Sequence, residues 1–357
     1  MTEEWLKDPE HTLSRWAGNQ LSANVFDVLA HFLLTHRSKH TRMAYARDVV
    51  EFLDFAASHK TKVNFIQEIT ERLLLLWRES LTAKHTRFDD SRRRIANASV
   101  ARKLCTISSL LDFALKRKLL EDNPMTRVKR PKVRRQSHAN VLSEEELKQI
   151  LNASQNHLQE CQRASVSDPA TSESQQQRAL LKAETEWCML VLLFTVGMRV
   201  SELCQLRLQD ITPEGDLVRL SFVTKGARKH QPLVHPETAR ILLNYIVRFR
   251  AGASIEEPVF PASRSASGKV FPIHRSTVFR MVQVAARRAA ITRNFSPHGC
   301  RATLATQLHL AEIPVVEIQS LLNHAQVTTT QLYLHRVDET KESAALKLTW
   351  AQKPSPL

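Results

Sequence analysis

The chain has 357 residues, with 51 Lys and Arg against 36 Asp and Glu, a formal net charge of +15. With 43% apolar and 24% charged residues, and only 7 Gly and 14 Pro, it is globular and helix-leaning, not collagen-like, fibrous or disordered. The length predicts about two domains, and the most apolar stretch, 187–198, is too short to span a bilayer.

The opening Met1, Thr2, Glu3 and Glu4 carry no basic region ahead of an apolar core, so no signal peptide is expected. Residues 24–57 read as two helices. Val25, Val28, Leu29, Phe32 and Leu33 recur at helical spacing, as do Tyr45, Val49, Phe52, Leu53 and Ala56. The polar stretch 36–40 separates them. A leucine-rich helix is predicted over 67–80, a basic loop over 84–94, and a fourth helix that begins after Asn97 and runs to Leu119 with Leu104, Ile107, Leu110, Leu111, Ala114 and Leu115 inward. Asn123 and Pro124 stop this helical domain, 1–124. A basic linker over 125–141 follows, and six of the nine residues in 127–135 are Lys or Arg.

The second domain spans 142–345. Ser143 with Glu146 makes a capping box. The Ser-, Gln- and Asn-rich segment 152–180 is expected to be an exposed insertion. A strong helix is predicted from Ala183 to Leu208. Apolar segments 217–223 and 231–234 around Lys225 and Gly226 predict a β-hairpin, and helices then dominate. The tail is 346–357. The fold class is mainly α with a small β-hairpin or sheet.

Residues 1–141 hold 26 Lys and Arg against 16 Asp and Glu. An excess concentrated in this way points to a polyanion, most simply nucleic acid, or else to a generally basic surface. In an extended linker Arg127, Lys129, Arg130, Lys132, Arg134 and Arg135 are placed to lie along a phosphate backbone. Cys105, Cys161, Cys188, Cys204 and Cys300 have no C-x-x-C spacing and read as reduced, mostly buried thiols. His31, His36 and His40 do not share one helical face, so no metal site is expected.

Four short segments carry chemistry. They hold Arg199 with Glu202, Lys225 with Gly226, His298 with Arg301, and His324 with Tyr333. Singly each is a common surface or core pattern. Together, with His298, Arg301, His324 and Tyr333 at spacings of 3, 23 and 9 residues, they resemble the tyrosine recombinase (phage-integrase) family, nearest its Xer-type members or simple integrases, which implies chromosome or plasmid dimer resolution, or integration and excision of a mobile element. Thr41, Tyr45 and Asp48 are similar to that family's helical core-binding (SAM-like) domain. Asn323 stands where the family usually has Gly, Ala302 where many members have a second His.

The resemblance implies a two-domain, C-shaped DNA clamp, a helical core-binding domain plus an α+β catalytic domain. It implies Arg199 and Arg301 on the scissile phosphate, Tyr333 as nucleophile, His298 as base, His324 as hydrogen-bond donor and Lys225 as general acid. Elementary chemistry agrees. Attack at phosphorus raises charge on the non-bridging oxygens, which planar, permanently charged guanidiniums bind well. A tyrosine with an ordinary pKa of about 10 needs a base or a cationic pocket. Glu202, one turn beyond Arg199, is placed to orient it. The implied product is a 3′-phosphotyrosyl link, formed without cofactor or metal.

The implied partner is double-stranded DNA with a short, near-palindromic site. A homo- or hetero-tetramer would hold two such sites, with a second recombinase or a motor as possible helpers. For the stretch after Tyr333 with Ala344, Leu346, Leu348 and Trp350, the resemblance implies a helix that docks on a neighbouring subunit, the alternative being one that folds back on its own domain. The expected setting is prokaryotic, cytoplasmic and nucleoid-associated, with no membrane role. A type IB topoisomerase and a non-catalytic DNA-binding protein remain the alternatives.

Overall fold

The computed structural model describes residues 23–59, 63–83, 85–86, 93–133, 140–167, 173–215, 217–223 and 229–323. The chain divides into two compact units between Arg134 and Arg135.

The first unit is built on helices α1 (Ala23–Leu34), α2 (Lys39–Ser58), α3 (Glu71–Ala83) and α4 (Asn97–Lys116). Their apolar stripes meet in one core that includes Phe32, Phe52, Trp77, Leu104 and Ile107. Phe52 and Trp77 pack edge to face with ring centroids 5.0 Å apart. The polar break before α2 supplies its cap, because the Ser38 side chain accepts from the Thr41 amide. Asp48 is buried, and both Arg102 and the Thr106 hydroxyl, at 2.8 Å, donate to it. That satisfies a carboxylate which burial alone would penalise. α3 starts later than the leucine pattern predicts. Residues Ile66–Glu68 form a separate 3-10 turn, closed by Glu68 accepting from the Asn64 amide at 2.6 Å. Within the predicted basic loop, β1 (His85–Thr86) and β2 (Arg93–Arg94) pair antiparallel.

The charge count assigns 125–128 to a linker, but the structure folds them into the first unit. Asn123 caps a 3-10 turn over Pro124–Arg127, and Met125 and Val128 enter the helical core. Apolar side chains at these two positions outweigh the charges that flank them. Arg127 pairs with both Glu71 (2.9 Å) and Asp122 (2.5 Å).

The second unit opens with α5 (Glu144–Ser167) and α6 (Glu173–Thr195). The predicted capping box forms, with Ser143 N–H donating to Glu146 at 2.9 Å and Glu146 N–H to the Ser143 hydroxyl at 3.2 Å. The segment 152–180 is helical on both sides of residues 168–172, which lie outside the described set, and it buries Leu158 and Leu180 between the two helices. The remaining helices are α7 (Val200–Gln205), α8 (Pro236–Phe249), α9 (Arg275–Arg288), α10 (Pro297–Leu310) and α11 (Val315–Leu322). A buried cluster containing Leu190, Leu193, Leu203, Leu242, Phe260, Val282 and Phe295 joins most of them. α10 and α11 add a smaller apolar contact through Ala302, Ala305, Ile318 and Leu322.

The sheets are small and antiparallel. β3 (Ile211–Glu214), β4 (Leu217–Leu220) and β7 (Leu233–Val234) form one in the order β3-β4-β7. β5 (Phe222–Val223) pairs with β6 (Lys229–His230), and β8 (Pro261–Arg264) with β9 (Val270–Pro272). The predicted hairpin is therefore two successive pairings: β4 with β7, and nearer the tip β5 with β6, Phe222 facing His230. Lys225 falls in 224–228, outside the described residues. Among the described residues no helix is long and apolar enough to cross a membrane. Cys188, Cys204 and Cys300 are buried, and burial raises all three thiol pKa values, Cys204 to about 11.

Candidate active site

The helix predicted to run from Ala183 to Leu208 is broken where the site begins. α6 ends at Thr195, and Gly197 turns the chain with φ +66°. A Cβ on Gly197 would lie 2.6 Å from Leu322 Cδ2 and 2.9 Å from Leu304 Cδ2, so both the angle and the close approach require glycine. The turn delivers Arg199 to the N-cap of α7. Its backbone N–H donates to Glu202 Oε2 at 2.8 Å, its guanidinium to Glu202 Oε1 at 2.7 Å and to the Asn323 carbonyl at 3.3 Å. Glu202 is itself buried, so this pair is held in a medium that strengthens it.

Arg301 comes from α10, whose N-terminus is capped by Ser296 with Pro297 in the first turn. Only 3% of Arg301 is exposed. One end of its guanidinium donates to the Gly197 carbonyl and the other to the Leu322 carbonyl. A single planar fork thus ties the α6–α7 turn to the end of α11. α11 stops there because Asn323 takes the left-handed conformation, φ +47° and ψ 55°.

His298 sits in the first turn of α10, three residues before Arg301. Desolvation first, then the positive charges of Arg301 and Arg199, lower its pKa. The ring is therefore neutral near pH 7 and able to accept a proton. The structure brings Arg199, Glu202, His298 and Arg301 into this one region. Lys225, His324 and Tyr333 lie outside the described residues, although β5 and β6 flank the first and Asn323 directly precedes the second.

One site residue has no motif to announce it. His230 on β6 shares a hydrogen bond with the Leu321 carbonyl (Nε2 to O, 2.9 Å) and packs edge to face on Phe222, centroids 5.4 Å apart. Burial lowers its pKa most, and Arg301 and Arg199 add to the effect. Three successive carbonyls, of Leu321, Leu322 and Asn323, thus take His230, Arg301 and Arg199 in turn. The end of a helix carries partial negative charge, which favours this gathering of cations and donors.

Of the six basic residues predicted on DNA, four are described. Arg127 holds two carboxylates, and the Arg130 guanidinium lies 3.4 Å from the Cys105 sulfur. Lys129 and Lys132 are exposed. Arg134 and Arg135 lie outside the described residues.

Family profiles and named relatives place the chain among the site-specific recombinases, enzymes that break and rejoin DNA strands. The chain belongs to the phage integrase family, whose profile matches residues 140–340, while the profile for the phage integrase N-terminal SAM-like domain matches 29–118. It is 28% identical over 328 residues to a tyrosine recombinase of Pseudothermotoga lettingae, covering 91% of this chain and 96% of that one. Tyrosine recombinase XerC of Myxococcus xanthus is 28% identical over 297 residues, 83% of this chain and 87% of that one. In fold, the chain is similar to the XerH site-specific recombinase bound to its difH substrate. The TM-score is 0.60 and the identity 15%, over 96% of this chain and 93% of that one.

Proposed function

We propose that the chain cleaves and rejoins duplex DNA at a short, near-palindromic site through a 3′-phosphotyrosyl intermediate. The arginine pair carries this reading: Arg199 and Arg301 reach two adjacent carbonyls at one helix end, and the scissile phosphate is the group that such a pair suits. Tyr333 Oη attacks phosphorus and its proton passes to neutral His298. The bond from phosphorus to the 5′ oxygen breaks, and Lys225 protonates that oxygen. Arg199, Arg301 and His324 stabilise the charge gathering on the non-bridging oxygens, with Glu202 orienting Arg199. Attack by another 5′ hydroxyl reverses each step. The ester keeps the bond energy, so rejoining consumes no nucleotide.

Double-stranded DNA is the partner in this reading, bound mainly through phosphates and in part along the exposed lysines after Arg127. Four subunits, of one kind or of two, act on two sites. The named relatives are bacterial, and we place the reaction on bacterial DNA in the cytoplasm.

Covalent capture tests the reading. The protein is incubated with genomic fragments and denatured, and DNA that remains attached is sequenced, with Tyr333→Phe as control. One short site, recovered with wild type and lost in the variant, is expected. Scattered ends would indicate a topoisomerase. Attachment that survives Tyr333→Phe would mean another nucleophile.

The lowered His298 pKa gives a second expectation. Because the group protonates only below its ordinary value, cleavage at limiting substrate should stay level from pH 8 down to about 6.5 and fall only in more acidic buffer. His298→Gln should remove that acid fall along with most of the rate. A fall already centred above that value would contradict the role of base.

A further inference from the structure

Asn140, Val141 and Leu142 precede the cap of α5 and belong to no helix or strand. Their backbone groups must therefore find partners elsewhere, and α10, the helix that carries His298 and Arg301, supplies them. Leu142 N–H donates to the Thr303 hydroxyl at 3.0 Å, and the Gln307 side-chain amide donates to the Leu142 carbonyl at 3.3 Å. The turn before α10 adds two more ties. Arg293 donates to the Val141 carbonyl at 3.1 Å, and the Asn140 side-chain amide donates to the Asn294 carbonyl. A Cβ on Gly299 would lie 2.8 Å from the Asn140 carbonyl oxygen and 2.6 Å from the Phe295 ring, so the stretch passes too close for any side chain there. Val141 packs on the α10–α11 contact, and Leu142 enters the main core.

Gly299, Thr303 and Gln307 follow one another at intervals of four and form one stripe of α10. Arg301 lies two residues past Gly299, about 200° around the helix, and from that far side it takes the Gly197 and Leu322 carbonyls. α10 is thus held from two sides. We propose that residues 140–142 are a strap that sets the position of α10, and that Thr303 is the positioning residue fastening it, so that His298 and Arg301 stay in register with Arg199. This rests on those three groups acting on the scissile phosphate. Thr303 is buried, and without its hydroxyl the buried Leu142 N–H has no acceptor. α10 is then free to shift at the end where His298 and Arg301 sit.

The test uses a duplex carrying the site recovered by covalent capture, nicked beside the cleaved bond so that the leaving strand is lost. Single-turnover cleavage at saturating protein, duplex binding and urea unfolding are measured on the full chain. Thr303→Val keeps the volume and removes the acceptor. Thr303→Ser keeps the acceptor. Asn140→Ala loosens the strap from its surface end. Leu158→Ala is the control for stability alone, because Leu158 packs between α5 and α6 in a separate apolar cluster. Arg301→Lys reports on the phosphate site itself.

Thr303→Val should cleave about 10-fold more slowly or worse, since a misplacement of about 1 Å can cost about 100-fold, with duplex binding unchanged. Thr303→Ser should stay near wild type, and Asn140→Ala should be slowed by less than Thr303→Val. Leu158→Ala should lose stability in urea and keep the wild-type rate. The inference is overturned if Thr303→Val cleaves at the wild-type rate while Arg301→Lys is slow, a result that leaves the phosphate site standing. It is also overturned if Leu158→Ala, at a similar urea midpoint, is slowed as much as Thr303→Val. If Thr303→Val does not fold, Asn140→Ala decides, and a wild-type rate there overturns the inference. If Arg301→Lys also cleaves at the wild-type rate, or wild type itself cleaves no site, the reading of the phosphate site falls, and this inference with it.

Discussion

Arg301→Lys is expected to slow DNA cleavage by roughly 100-fold or more while duplex binding persists. Lysine keeps the charge and loses the shape. Arg301 spans two carbonyls that come from separate segments, Gly197 after α6 and Leu322 at the end of α11, at a position with 3% exposure. A single ammonium on a flexible stem cannot reproduce that planar fork. One carbonyl is left without its partner in a buried place, at a cost of about 1–3 kcal/mol. Single-turnover cleavage, duplex binding and urea unfolding on the same preparation separate the contributions. A lysine variant that cleaves within a few-fold of wild type would mean that only charge is required of this position.

Gly197→Ala should be the most damaging single-methyl change in the second unit. Alanine in the left-handed region costs about 1–2 kcal/mol, and forcing a methyl into a filled space typically adds about 1–3 kcal/mol. The methyl would meet Leu322 and Leu304, and Leu322 lies on the helix whose end holds both arginines. The expected result is a lower urea midpoint together with a loss of cleavage. Gly215→Ala is the control. Gly215 also has a positive φ, +60°, but has nothing within 4 Å of the added atom. It should pay the backbone cost alone and keep cleavage. Equal destabilisation by the two variants would show that the close approach at Gly197 has no weight.

The contrast between these glycines also marks what was legible in the sequence. Helices of the first unit follow from residues such as Val25, Val28, Leu29 and Phe32, because one apolar face must be buried and spacing reveals it. The left-handed end at Asn323 is predictable too, since few residue types accept that angle. The break at Gly197 is not. Met198, Leu203 and Leu206 continue an apolar pattern beyond it, and all three are buried, so the core hides the turn. β8 and β9 are mostly exposed, and no alternation of buried and exposed positions betrays them. In the site, Glu202 beside Arg199 is a local relation, three residues apart on one turn, and local relations survive in sequence. His230 meets Leu321 across 91 positions through a strand register that depends on pairing. No spacing rule reaches that far.

The run of carbonyls at Leu321, Leu322 and Asn323 has a consequence for how such a site can change over time. Its acceptors are main-chain atoms, which every residue carries, so replacing a side chain there does not delete an acceptor. The vulnerable quantity is the residue at which α11 stops. Inserting or deleting one position in α11 would turn each carbonyl by about 100° around the helix axis and would take the acceptors from all three partners at once. Drift by substitution is therefore tolerated at this helix end, and drift in length is not.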